Sequence, residues 1–404
     1  MIDVADTTSV PTRWRSPFAP APWASRLVWF FGFRSLRADH PFLRTLQEAL
    51  LQGDPRMDEV VAWMDHVGQA EGRKLFETAL RQGIGAIADP PPALAHLFAQ
   101  LDTVPSWVDK EMLRHACETI QRAGPANDYA LGCGSLMSGY LSSAAVKPLM
   151  RTGALTYNAA RRIAETAKFV LDITESGDMG RTTAGFETTV RVRMLHAMVR
   201  AKLRRSPEWK IEAWGLPINQ SDLLGTNLQF SVTYLVSLRL MGFLHSRRER
   251  ECIMHFWRYV GYLMGVEEHL LPRDYREGMR YLRLVGTSQP DPDEDSRTLA
   301  AALLDAPLGM PFPPILNRFI RVERSFRAGL SRSLMGGTAA DALGLPNDRW
   351  KYAIFVLSPT VSALELMRRL VPGGREAAVR TGRRFLRRKV KRALAVTAGK
   401  RMHV

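Results

Sequence analysis

From about residue 41 onward the apolar residues of this chain recur at the three-and-four spacing of helices, and no stretch alternates apolar with polar over a strand's length. Hairpin signals of the Asn-Gly kind and internal repeats are both missing. The pattern predicts helices near 156–174, 185–204, 219–243 and 246–269. A Pro- and Asp-rich loop at 289–296 then leads to a second set near 297–306, 315–333 and 350–369. Pro90-Pro91-Pro92 and Pro105 interrupt the earlier helices, and Pro125 and Pro148 are expected to bound a buried helix over Tyr129–Val146. The fold class is mainly α. The expected organisation is an irregular arm over 1–40, one helical domain over 41–372 and a basic tail over 373–404.

Three cysteines in 404 residues, none in a CxxC pair, exclude a disulfide framework and a Cys-rich zinc or iron–sulfur site. The N-terminus has acids and prolines in place of a basic-then-apolar leader, so no export signal is recognised and a cytoplasmic or peripheral-membrane location is expected. Tyr129–Val146 is the longest uncharged run but is rich in Gly and Ser, which suits a tightly packed helix better than a bilayer span.

The net charge of +16 is concentrated at one end: Arg375 to Arg401 holds eleven Lys or Arg against the single acid Glu376. Val379, Phe385, Leu386, Val390 and Leu394 recur among these charges at helical spacing. Such a basic amphipathic helix suits an anionic membrane, with Phe385, Leu386 and Val390 inserting; nucleic acid is a less favoured partner.

The segment Arg191-Val-Arg193-Met-Leu-His196-Ala-Met-Val-Arg200 carries the chemistry. Positions three before and four after a helical residue lie on its side of the helix, so one imidazole stands between two fixed positive charges. Neutral imidazole is a common axial ligand of haem iron. Guanidinium groups suit carboxylates such as haem propionates. His196 is therefore the candidate metal ligand, and Arg193 and Arg200 are candidate cofactor-binding residues. One helix earlier, Arg162 and Thr166 share a face through their four-residue spacing. In Trp214–Phe230, Asn219 or Ser221 can cap a new helix. Gly261 and Gly265 permit close approach of a helix or a macrocycle. No GxSxG, P-loop, HExxH or dinucleotide fingerprint competes with this reading.

Taken together, Gly53-Asp54-Pro55, the spacing from Thr166 to His196, Arg193-x-x-His196-x-x-x-Arg200, Trp214-Gly-x-Pro217-Ile-Asn219-Gln220-x-Asp222 and Trp257-Arg-x-x-Gly261-x-Leu-x-Gly265 resemble the oxygenase family of latex clearing proteins and MpaB-type enzymes. The resemblance extends to Leu343-Gly-Leu-Pro346, most of the chain. It implies a globin-like helical core enlarged by additional helices and a b-type haem. His196 would be its proximal ligand, Arg193 and Arg200 would flank that ligand, and Arg162 and Thr166 would lie on the distal side. It also implies attack of O2 on the double bond of a hydrophobic, isoprenoid-like substrate.

Two positions depart from the family. Its rubber-cleaving members have a lysine where this chain has Glu165, and a glutamate about twenty residues before the threonine, where this chain has Val146. Glu165 is the candidate substitute for that carboxylate. Haem-dependent oxygenation of a hydrophobic substrate is one reading. A non-catalytic haem- or lipid-binding sensor or carrier is the other.

Overall fold

The computed structural model describes residues 10–15, 41–152, 159–306 and 317–398. Most of the expected arm lies outside them. Among the described residues the regular elements are helices only. The first six are α1 (Pro41–Ala49), α2 (Pro55–Val67), α3 (Gln69–Gln82), α4 (Pro92–Leu101), α5 (Lys110–Arg122) and α6 (Pro125–Tyr129). A π segment (Ala130–Leu136) leads to α7 (Met137–Gly139), α8 (Ser143–Arg151), α9 (Ala159–Glu175), α10 (Ala184–Arg204) and α11 (Ile211–Trp214). Then come α12 (Gln220–Leu228), a second π segment (Gln229–Thr233), α13 (Tyr234–Leu240), α14 (Arg247–Leu263) and α15 (Tyr275–Ser288). The chain closes with α16 (Glu294–Asp305), α17 (Asn317–Met335), α18 (Gly337–Ala342), α19 (Ile354–Leu370) and α20 (Gly374–Ala398).

Local chemistry sets many of these boundaries. Asp54 caps α2 with Pro55 at its first position, and Thr183 caps α10. Asn219 caps α12 through the Asp222 N–H at 2.9 Å. Ser246 and Glu249 form a reciprocal capping box on α14. Three expectations are corrected. Tyr129–Val146 is not one helix: it is a π segment, a break at Tyr140–Ser142 and a new start capped by Ser142. Pro148 lies inside α8 rather than at its boundary. The expected helix over 246–269 stops at Leu263, because Gly265 takes a φ of +86° that helical residues do not adopt.

The buried apolar residues form a main cluster and a smaller one. The smaller cluster joins Met137, Tyr140, Leu141 and Val146 to α16, α17 and α18. Ile173 of α9 belongs to the main cluster, whereas Ile163 packs on the smaller one, so α9 runs along the seam between them. Beside it α10 contributes Met194 and Ala197 to the main cluster. No helix of the described chain is long and apolar enough to cross a membrane.

The tail differs from its expected role. α20 lies against α5 and α9, with Leu386 and Val390 buried and Phe385 half-buried. Arg387 pairs with Glu175, and Lys389 with Asp128. Its apolar residues are used to dock the helix on its own domain, so they are not available to enter a bilayer.

Candidate functional site

His196 lies midway along α10, close enough to Arg162 of α9 for that charge to act on its ring. Its Nδ1 is buried and has no hydrogen-bond partner among the described residues. Burial pushes the imidazole pKa down to about 4, and the Arg200 and Arg162 charges act in the same direction, against Asp54. The ring is therefore neutral at ordinary pH. An unpartnered buried polar atom costs about 1–3 kcal/mol, a cost that a bound group can remove.

Arg193 and Arg200 are placed differently from the expectation that they reach for propionates. Arg193 is fully buried and gives Asp54 two bonds, from Nε at 2.6 Å and Nη2 at 2.8 Å. Its remaining donors go to Gln100 Oε1 and the Leu263 carbonyl. Arg200, equally buried, donates to both Asp58 oxygens and to the Ile218 carbonyl at 2.7 Å. These charges are spent within the protein, tying α10 to α2. Their effect on His196 is electrostatic and positional.

The other sequence motifs converge on the same node. Gln220 donates to the Gly53 carbonyl at 2.7 Å and the Gly265 carbonyl at 2.8 Å, and accepts from Glu267 N–H at 2.9 Å. A Cβ at Gly265 would collide with Asp54 and Arg193, and one at Gly53 with Asp58 and Arg200. A Cβ at Gly261 would meet Leu271 and Asn227, so its closeness serves protein packing. Asp222 pairs with Arg13 at 2.7 Å, which fixes the described part of the arm. Motifs spread over two hundred residues thus build one buried polar framework behind the histidine.

On α9, Arg162 is close enough to lower the pKa of His196 and to act on the buried Tyr140. Its link to Glu165 is loose, at 3.8 Å. Thr166 donates back to the Arg162 carbonyl at 2.9 Å. Glu165 is held by Arg161 at 2.9 Å on a half-exposed face. Val146 is buried in the smaller apolar cluster, and the neighbouring Lys147 turns away to Asp293 and Asp295. Neither position presents an unpaired carboxylate.

The two π segments pack against each other, and beside them lies a largely apolar cleft of about 210 Å³. Leu141, Val236, Met279, Val285 and Leu334 line it. So do Ser221, Gln229 and Thr233, each with a buried side-chain oxygen lacking a partner among the described residues. Helical periodicity gave no sign of this cleft. π segments are frequent at functional sites but have no reliable sequence mark.

The sequence profile described as "ER-bound oxygenase mpaB/B'/Rubber oxygenase, catalytic domain" matches residues 122–363. A curated relative, the rubber oxygenase of Streptomyces sp. (strain K30), is 23% identical over 263 residues. That match takes in 63% of this chain and spans 61% of the relative's length. The solved structure of latex clearing protein LCP in the closed state superposes with a TM-score of 0.62 at 21% identity, covering 84% of this chain and 91% of that one. The shared fold is all-helical and globin-like.

Proposed function

This chain belongs to the mpaB/B′ and rubber oxygenase catalytic family, and from that premise we propose that it is a haem b-dependent oxygenase using O2 on a hydrophobic, unsaturated or isoprenoid-like substrate. The observation that carries the haem reading is His196: a half-buried, neutral imidazole whose Nδ1 is buried and unpartnered, beside the polar node of Arg193 and Arg200. Among the described residues no three His, Cys, Asp or Glu side chains gather to hold a bare metal ion. A porphyrin brings four ring nitrogens of its own, and the unpartnered nitrogen of His196 would be the protein's ligand to it, so the residues present fit haem.

When bound, haem iron would supply the activation of oxygen. This chain's residues do the rest. His196 offers its nitrogen without first losing a proton. Arg193 and Arg200 fix α10 through Asp54 and Asp58. Arg162, loosely paired at the seam, is the guanidinium best placed to meet an anionic group of the cofactor or a polarised oxygen. Thr166 keeps lone pairs there, although its proton is turned to the backbone. The apolar cleft, lined by none of His196, Arg162 and Thr166, would suit an apolar chain.

One observation favours the alternative, a haem- or lipid-binding carrier. The carboxylate of the rubber-cleaving members is replaced by the buried Val146, and Glu165 is held by arginine. The deciding experiment is expression with haem supplied, followed by the Soret band of the wild type and of His196→Ala. A band lost in the variant, with oxygen uptake and oxidised product on addition of an unsaturated isoprenoid, is the expected result. A stable oxy complex without product across a broad panel would indicate the carrier. Purification without porphyrin would refute both haem readings.

A further inference from the structure

α19 has two apolar sides. Ile354, Leu357 and Val361 pack on the main core, and the fully buried Glu365 meets Arg122 of α5. The opposite side carries Tyr352, at the helix entry, then Phe355 and Val356, and further along Leu366, Met367 and Leu370, two apolar groups on one face with the exposed Pro359, Thr360 and Ala363 between them. All six are exposed, Phe355 at 73%, Val356 at 72% and Leu370 at 82%. Scattered exposed apolar residues need no explanation, but six large ones gathered on one face of a helix do.

The neighbouring α20 adds charge. Arg375, Arg383, Arg387 and Lys389 are engaged with the body, through Glu249, Gln121, Glu175 and Asp128. Arg380, Arg384, Arg388 and Lys391 recur along the side turned away from the buried Leu386 and Val390, and no ion pair engages them among the described residues. Both helices rest on the same turn of α5: Arg122 holds Glu365 of α19, while Gln121 takes Arg383 of α20. An apolar face and a basic row thus adjoin on one flank.

We propose that this flank, α19 with the outward row of α20, is a docking face for an anionic lipid bilayer, with the α19 side chains entering the interface and the α20 cations held at the headgroups. Charge selects this occupant over a second copy of the chain. Symmetric pairing through α19 would bring two strongly basic helices together, whereas an anionic surface neutralises them. The face is separate from His196, so the inference does not depend on haem.

The test is sedimentation of the full chain with vesicles of phosphatidylcholine containing roughly 30% phosphatidylserine, at about 0.15 M salt. Binding is expected to anionic vesicles and to be much weaker with neutral ones. Phe355→Ser with Leu370→Ser should reduce the partition coefficient about tenfold or more, since each exposed side chain loses its burial. Unfolding temperature and helix content should stay close to the wild type, because both side chains are largely exposed. Val356→Trp should be quenched by brominated anionic lipid. Equal sedimentation of the double variant, or no preference for anionic vesicles, would overturn the proposal. So would a wild-type dimer that the double variant converts to monomer.

Discussion

The Arg193 guanidinium and the Asp54 carboxylate form a two-bond pair in the interior, at 2.6 and 2.8 Å, although 139 residues separate them. Asp54 also caps α2, so one carboxylate starts that helix and fastens α10 to it. Removing one partner of a buried pair strands the other charge, a loss of about 3–5 kcal/mol. Arg193→Met and Asp54→Leu are each expected to destabilise the protein by that order in urea unfolding. Asp54→Leu combined with Arg193→Met should recover much of the loss, since an apolar pair strands no charge. Additive losses in the double variant would show that the two residues act separately.

The desolvated histidine gives stability a pH dependence of definite sign. The folded pKa, about 4, lies below the ordinary value of 6.5, so between these the unfolded chain binds a proton that the folded one refuses. His196 thus contributes no loss above pH 6.5, a growing loss as pH falls through that window, and a constant one below about 4. The full span corresponds to about 3 kcal/mol at most. His196→Gln should flatten the part of the urea-unfolding profile between pH 6.5 and 4 that is specific to this residue. An unchanged profile would mean that the ring is not desolvated.

Much of this was legible in the sequence because it is local. Helix periodicity, the Asn219 cap and the placement of His196 near the middle of a helix all follow from near neighbours. The partners of Arg193 and Arg200 were not legible: Asp54 and Asp58 lie far away in sequence, and spacing shows that two arginines flank a histidine without showing what they bind. The tail misled for a related reason. Leu386 and Val390 have the spacing of a membrane-facing stripe, and the same spacing serves a helix docked on its own domain. The exposed apolar face of α19 could not be separated in sequence from a buried one.

Docking of the tail depends on a close crossing. A Cβ at Gly382 would collide with the Gln121 carbonyl and crowd Gly124. Gly382→Ala must therefore push α20 away from α5, and overpacking of this kind costs about 1–3 kcal/mol. The expected result is faster amide exchange confined to α20 and the end of α5, with α10 and α14 unaffected. Unchanged exchange in α20 would show that the crossing tolerates a methyl group.

Arg162 provides the cleanest separation of binding from folding. Arg193 and Arg200 are buried in ion pairs, so any loss of cofactor on replacing them is mixed with loss of fold. Arg162 is half-exposed and only loosely paired with Glu165, and a pair of that kind contributes about 0–1 kcal/mol. Arg162→Ala should therefore leave urea unfolding nearly unchanged. It should also raise the His196 pKa, because a neighbouring positive charge is removed, although burial, the larger cause, keeps it below 6.5. If the guanidinium holds an anionic group of haem, a charge-assisted bond of ~1.5–3 kcal/mol is lost, or roughly ten- to a hundredfold in retention. The measurements are histidine NMR titration of the apo chain and transfer of haem to a high-affinity acceptor. A raised pKa with unchanged haem transfer would confine Arg162 to an electrostatic role beside the imidazole, and some other cation would have to meet the propionates.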